Sequence, residues 1–322
     1  MDDRQLLARL AAGPVSGDAL ARETGVTRAA IWKRVHALRE AGLPVDAQAG
    51  EGYRLTQPLD LLDAGRIGAA LPPPVRAAVT GLDVLWSVDS TNAELLRRGA
   101  PAQGVAAVLA ERQTGGRGRR GRAWASPLAA HVYLSLARRF EGGLARLGGL
   151  SLVAGIAAAE ALRAAGFDEV GLKWPNDLFA GGRKLGGLLI EGGGEHGGPV
   201  QAVIGIGVNV RMPEAVAAMI GQPWTDLSRL SAGPVSRDAV VAALLSHLLP
   251  ALDLFDTEGL APFLPRFAAL DVLHGCEVQV STGQGTESGI ALGVAGDGAL
   301  RVQAAGGERL FHAGEVSVRA AG

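Results

Sequence analysis

The sequence predicts an α+β multidomain chain: an N-terminal winged helix-turn-helix over 1–57, a central mixed-sheet α/β unit over 61–270, and a small β-barrel over 271–319. Three observations carry this expectation. Ile31, Val35 and Leu38 recur at i, i+4 and i+7, one buried helical stripe, just ahead of two short β-prone runs. From about 81 to 270, strand-length apolar runs mix with long Ala/Leu-rich helical stretches, without strict βαβ repetition. Beyond 271, short β-prone runs alternate with Gly-rich turns, the pattern of a small barrel.

Taken in order, residues 3–10 form a short amphipathic helix. Ser16 is placed to cap a second helix over 17–24, and Thr27 a third over 28–41 that stops at Gly42, with Pro44 beyond. Strands near 45–47 and 53–55 flank the turn Gly50-Glu51-Gly52, and a helix-turn-helix followed by a hairpin is a winged helix. Residues 57–60, punctuated by Pro58, form the boundary. A linking helix and a proline-rich turn at Pro72-Pro73-Pro74 occupy 61–80. The central unit then reads as strands at 84–88, 105–111, 132–136, 172–174, 185–191 and 200–210, with helices at 90–98, 147–165 and 237–257. The last unit reads as strands at 277–281, 288–294, 300–304, 309–312 and 316–318.

Composition narrows the function. With 48% hydrophobic and 20% charged residues the chain is not of the disordered type. A net charge of -1 gives no global basic field, so any nucleic-acid contact needs a local patch. One cysteine, Cys276, excludes a disulfide framework and a Cys-based metal site, and the six histidines show no ligand spacing. Met1-Asp2-Asp3 opens no signal peptide, and the apolar stretches are broken by charge, so a cytoplasmic chain without a membrane span is expected. Against 28 arginines there are three lysines, Lys33, Lys173 and Lys184, which marks them as positions where a compact, mobile charge matters.

Three segments carry chemistry. Gln113-Thr114-Gly115-Gly116-Arg117-Gly118-Arg119-Arg120-Gly121-Arg122 joins two strands. Its glycines let the backbone turn N–H groups inward, and its four arginines suit a polyanionic phosphate. On composition alone it also reads as an Arg/Gly-rich nucleic-acid-binding stretch. It is not a Walker loop, which needs Gly-Lys-Ser/Thr. Lys173-Trp174-Pro175-Asn176-Asp177, followed by Arg183-Lys184-Leu185-Gly186-Gly187, puts a lysine at a strand end, able to contact both a carboxylate and an α-phosphate. Asn176 and Asp177 offer oxygens for Mg²⁺ or ribose; taken alone, Pro175-Asn176-Asp177 also reads as a surface turn. Ser90-Thr91-Asn92 offers small donors for a polar headgroup, or a helix N-cap; Asn209 closes a glycine-rich strand. On the third helix, Arg28, Trp32 and His36 share a face with Ala29 and Lys33 beside it, and no acid intervenes from Arg28 to Arg39. That charge pattern suits a major-groove helix.

In this order the segments resemble the bifunctional biotin–protein ligase and biotin operon repressor family. The likeness extends to Thr27 through Lys33, Gly50 through Tyr53, Gly207-Val208-Asn209, Glu258 through Phe263 and Gly314 through Ser317, nearly the whole chain. The resemblance implies a class II synthetase-like catalytic domain and an SH3-like C-terminal barrel. It also implies that Ser90, Thr91, Asn92, Gln113, Arg117, Gly118, Arg119 and Lys173 hold biotin, with Lys173 and Arg119 catalytic. Arg120, Arg122, Asn176, Lys184, Asn209 and Trp224 would hold ATP or the adenylate, with Trp224 stacking on adenine. Mg²⁺ would come with ATP, with Asp177 as a candidate ligand. The implied partners are the biotin carboxyl carrier domain of a carboxylase, operator DNA, and a second copy in a ligand-dependent homodimer. Two residues depart from the family pattern: Ala129 stands where glycine is frequent, and Trp32 replaces a small polar residue on the recognition helix, so the operator sequence does not carry over. A lipoate–protein ligase and a biotin sensor without transferase activity are the competing readings.

Overall fold

The structure, a computed structural model, describes residues 3–320 except 41, 49, 50, 57, 58, 142, 144–146, 195–199, 284 and 314–316. The resemblance at Gly50 and at Gly314-Glu315-Val316, and the first residue of the strand expected at 316–318, lie outside the described residues.

The N-terminal unit contains α1 (Asp3–Ala11), α2 (Gly17–Thr24), α3 (Arg28–Glu40) and a hairpin of β1 (Val45–Gln48) and β2 (Gly52–Leu55). The caps are those the sequence predicts: Ser16 Oγ accepts from the Ala19 amide at 3.1 Å, and Thr27 Oγ1 from the Ala30 amide at 3.2 Å. Each satisfies an amide with no intrahelical partner. Ile31, Val35 and Leu38 meet Leu6, Leu7, Leu10 and Leu20 in one core.

The central unit runs α4 (Ala64–Ala70), α5 (Pro73–Ala78), β3 (Val79–Leu85), α6 (Thr91–Arg98), β4 (Val105–Ala110), β5 (Val132–Phe140), α7 (Leu150–Ala164), β6 (Gly171–Lys173), β7 (Asp177–Ala180), β8 (Arg183–Gly194), β9 (Val200–Val208), α8 (Glu214–Ala217), α9 (Leu227–Leu230), α10 (Arg237–Glu258) and α11 (Leu264–Ala268). Seven strands form one sheet in the order β3-β4-β5-β9-β8-β7-β6. Only β3 and β4 run parallel, joined by α6. Helix α7 is almost wholly buried, because its Ala- and Gly-rich surface lets α10 and the sheet approach closely. By length and composition α10 would suffice to cross a bilayer, contrary to the expectation that every apolar stretch is broken by charge; most of it is buried in this core.

Several details differ from the sequence reading, the short helices α8, α9 and α11 among them. The proline-rich turn is the first turn of α5, where a proline costs nothing because its missing N–H would have no partner. The first strand begins at Val79 rather than Val84, and as a half-exposed edge strand it shows little apolar alternation. Strand β7 differs too: only four residues long, too short to show an alternating pattern, it is joined to β6 and β8 by tight hairpins, with Lys173 facing Asp177 and Ala180 facing Arg183.

The C-terminal unit is an antiparallel sheet, β13-β12-β11-β10-β14, of β10 (Glu277–Thr282), β11 (Gly285–Val294), β12 (Leu300–Ala304), β13 (Gly307–Phe311) and β14 (Ser317–Ala320). Val278, Val280, Leu300 and Val302 join the central core. Trp174 Nε1 donates to the Gly298 carbonyl at 3.0 Å, tying this sheet to the end of β6.

A polar cluster is buried where the N-terminal linker meets α10. Glu111 receives Arg237 Nη2 at 2.8 Å and the Leu62 amide at 2.7 Å, while Arg237 also donates to the carbonyls of Asp60 and His131. His131 is fully buried; its Nδ1 accepts from the Val210 amide at 3.1 Å, and its Nε2 has no partner among the described residues. Burial pushes its pKa down from 6.5 to about 3. The neutral ring is therefore favoured by folding: this stability is complete above pH 6.5 and lost as pH falls toward 3. Denaturant titrations should show His131 adding a slope of up to about 1.4 kcal/mol per pH unit below pH 6.5. His131→Asn should lack that component, and an unchanged slope in the variant would refute the assignment.

Candidate active site

A cleft of about 1200 Å³ gathers the candidate residues from six separate stretches of chain. Ser90, Thr91 and Asn92 enter it from the start of α6, Gln113 and Arg117 to Arg122 from the loop after β4, and Lys173 to Asp177 from the β6–β7 turn. Lys184 lies on β8, Asn209 follows β9, and Trp224 ends a loop that begins near Met212. Every residue that the resemblance assigns to biotin or nucleotide thus borders one space.

Local chemistry explains how each is held. Ser90 caps α6, its Oγ accepting from the Ala93 amide at 3.5 Å, so the N-cap reading and the cleft-lining position coexist. Gln113 Oε1 accepts from the Thr91 amide at 2.9 Å, joining positions 22 residues apart. In the arginine loop, Arg120 takes φ 59, a left-handed conformation that L-residues rarely adopt. Arg119 donates to Asn176 Oδ1 at 3.1 Å and to the Ala313 carbonyl of the C-terminal unit. Burial lowers its pKa, opposed by Asp177 and reinforced by Arg120 and Arg122.

The two lysines differ in setting. Lys173 Nζ lies 5.0 Å from the Phe179 ring centre, at the end of β6. Lys184 Nζ pairs with Asp177 Oδ1 at 2.8 Å and lies 5.5 Å over the Trp124 ring. Asn176 Nδ2 donates to the Leu188 carbonyl at 2.6 Å, which holds the turn against β8. Lys184 exchanges backbone bonds with Pro223 and Thr225, and Asn209 Nδ2 donates to the Thr225 carbonyl at 3.0 Å. Asn209 therefore braces the loop that presents Trp224, whose ring carries Arg229 at 4.1 Å.

Trp124 borders the cleft without having been assigned a role. Its ring presses so closely on Gly207 that a Cβ there would lie 2.7 Å from Cζ2. The Gly-x-Gly pattern of β9 was the available signal, since glycine in a strand marks a close approach. Ser135 and Glu191, which stand behind Thr91 and Asn92, carried no signal in the sequence.

Ala129 lies in the left-handed region at φ 55, buried against the N-terminal core. A left-handed alanine costs about 1–2 kcal/mol, which glycine would relieve, against about 1–2 kcal/mol of lost methyl burial and chain entropy. Ala129→Gly should therefore leave stability within about 0.5 kcal/mol of the parent, whereas Ala158→Gly inside α7 should cost about 1–2 kcal/mol. Urea unfolding of both variants decides; equal losses would remove the strain argument.

The residues expected to meet DNA lie elsewhere, exposed on α3: Arg28, Ala29, Trp32, Lys33 and His36. Trp32 stacks on His36 with centroids 5.2 Å apart and planes 6° from parallel.

Family models agree with this layout. An HTH domain model matches 3–54, the biotin/lipoate A/B protein ligase family matches 84–209, and the biotin protein ligase C terminal domain matches 273–319. The bifunctional ligase/repressor BirA of Escherichia coli is 41% identical over 98% of this chain and 97% of its own. Its namesake in Bacillus subtilis is 29% identical over 94% of both chains. Among solved structures, the biotin protein ligase from Aquifex aeolicus in complex with biotin and ATP superposes with a TM-score of 0.64 at 28% identity, covering 75% of this chain and all of that one. With its three units in the same order and the cleft formed in the middle one, the chain belongs to the bifunctional ligase/repressor family of biotin protein ligases.

Proposed function

We propose that the chain activates biotin as biotinyl-5′-AMP and transfers it to a lysine of a biotin carboxyl carrier domain, and that it represses biotin-synthesis genes in response to biotin. The observation that carries the ligase is the convergence of the arginine loop, Lys173 and Lys184 on one cleft beside polar Thr91, Asn92 and Gln113. Biotin's carboxylate attacks the α-phosphorus of ATP and expels pyrophosphate; the acceptor ε-amine then attacks the mixed anhydride and releases AMP. Positioning and charge stabilisation carry both steps.

In this reading Ser90, Thr91, Asn92, Gln113, Arg117 and Gly118 surround biotin, and Lys173 and Arg119 stabilise the charge that develops between carboxylate and phosphate. Arg120, Arg122, Asn176, Lys184, Asn209 and Trp224 hold the nucleotide, with adenine against Trp224. No group of three or more metal-ligating side chains gathers among the described residues. Mg²⁺ would come with the ATP phosphates, and Asp177, which lines the cleft beside Lys184, would be the residue to steady it. The domain limits are 1–57, 61–270 and 271–319, with class II synthetase-like and SH3-like architectures for the last two. The protein works in the cytoplasm, and adenylate binding favours a homodimer that reads a two-fold operator through α3.

Incubation with ATP, labelled biotin or labelled lipoate, and an acceptor domain tests the ligase; label from biotin alone is expected, and label from lipoate would favour the rival. Sedimentation with and without biotin plus ATP tests the dimer, which should form only with both.

A further inference from the structure

Behind the cleft floor, a chain of buried polar groups ends on an acid that does not itself border the cleft. Ser135 is fully buried, with Oγ 2.7 Å from Thr91 Oγ1 and 2.6 Å from Asn92 Oδ1. Asn92 Oδ1 has no proton, so the single Ser135 proton points to it, and the one Thr91 hydroxyl proton is shared between Ser135 Oγ and Gln113 Oε1, which lies 3.1 Å from Thr91 Oγ1. Asn92 Nδ2 then donates to Glu191 Oε2 at 2.8 Å and to the Leu189 carbonyl at 3.2 Å. The other Glu191 oxygen lies 3.6 Å from Arg117 Nη2. Asn92 has no alternative place: a Cβ at Gly205 would sit 2.3 Å from its Oδ1.

A carboxylate and a backbone carbonyl only accept, so Glu191 and the Leu189 carbonyl together hold Asn92 with its Nδ2 toward them and its Oδ1 toward Ser135; of the two, Glu191 makes the shorter bond and also reaches Arg117. We infer that Glu191 is a positioning residue that, through Asn92, Ser135 and Thr91, fixes the donor and acceptor pattern offered to a cyclic-urea headgroup and steadies Arg117 beside it. This rests on the biotin reading above. A head carrying both N–H and C=O groups needs such a pattern, and an apolar ring gains nothing from it.

Steady-state kinetics on the full-length chain test it. Glu191→Ala should raise KM for biotin about 10- to 100-fold, the loss expected when a buried hydrogen-bonding group is left unpaired. KM for ATP should not move, and kcat at saturating biotin should stay within about threefold. Glu191→Gln, which retains an acceptor for Asn92, should recover most of the loss, whereas Glu191→Met, of similar volume but without that acceptor, should not; a packing role would be repaired by both. Ser135→Ala should raise biotin KM in the same direction, and serves should Glu191→Ala fail to fold. A biotin KM within twofold of the parent in the folded variants, or an equal rise in KM for ATP, overturns the inference. A parent chain that incorporates no biotin would instead overturn the function itself.

Discussion

Lys173→Ala should lower adenylate formation by at least about 10²–10³-fold while leaving the fold intact. The side chain projects from the end of β6 into the cleft, beside the turn that Asn176 fastens to β8 and to Arg119. Its ammonium would face charge that grows only as carboxylate and α-phosphate react, so its removal acts on the transition state more than on binding. kcat and kcat/KM should fall together, with biotin and ATP affinities changed far less. Lys173 is only half-buried, and Trp174, Leu172 and Leu178 fill the core around it, so the melting temperature should stay within a few degrees. Pyrophosphate release in single turnover is the measurement. Near-normal release from a folded variant would leave Lys184, already paired with Asp177, as the principal cation.

Arg237→Leu should cost stability on the order of 3–5 kcal/mol, the range for breaking a buried ion pair from one side. Arg237 and Glu111 are 2% and 3% exposed, and removing the guanidinium leaves the carboxylate with the Leu62 amide as its one hydrogen-bond partner among the described residues. Burial already raises the Glu111 pKa, with Arg237 pulling the other way. The double variant Arg237→Leu with Glu111→Leu should therefore recover part of the loss, because no buried charge remains. Because Arg237 also holds Asp60, the single variant should loosen the linker between the DNA-binding and catalytic units before the sheet melts. Urea unfolding and limited proteolysis near residue 60 read both effects; a loss under about 1 kcal/mol would mean that water reaches the pair.

Much of the candidate site was legible because its residues come in short runs whose chemistry is local. The glycine-jointed arginines, a lysine at a strand end and the Ser-Thr-Asn cap announce themselves within ten residues each. The supporting groups could not be read this way. Glu111 follows β4 and Glu191 lies within β8, each looking in sequence like any surface acid, and Ser135 occupies one position in an apolar strand. Glu191 and Ser135 acquire their roles only when β5, β8 and β9 pair, and Glu111 only when α10 and the segment at Leu62 close over it. Trp124 gives half a signal: its partner glycine at 207 marks a close approach within a strand, but the two lie 83 residues apart.

By itself the sequence determined the helix caps of the N-terminal unit, the order of its three modules and the kind of chemistry each motif supplies. These depend on interactions among residues a few positions apart, which chain geometry brings together in any compact state. Tertiary structure alone decided the sheet order β3-β4-β5-β9-β8-β7-β6, the burial of Arg237 on Glu111, and the left-handed placement of Ala129 against the DNA-binding unit. Those choices turn on which distant partners close upon one another. Many pairings bury similar apolar area, and they differ mainly in whether every enclosed polar group finds a mate.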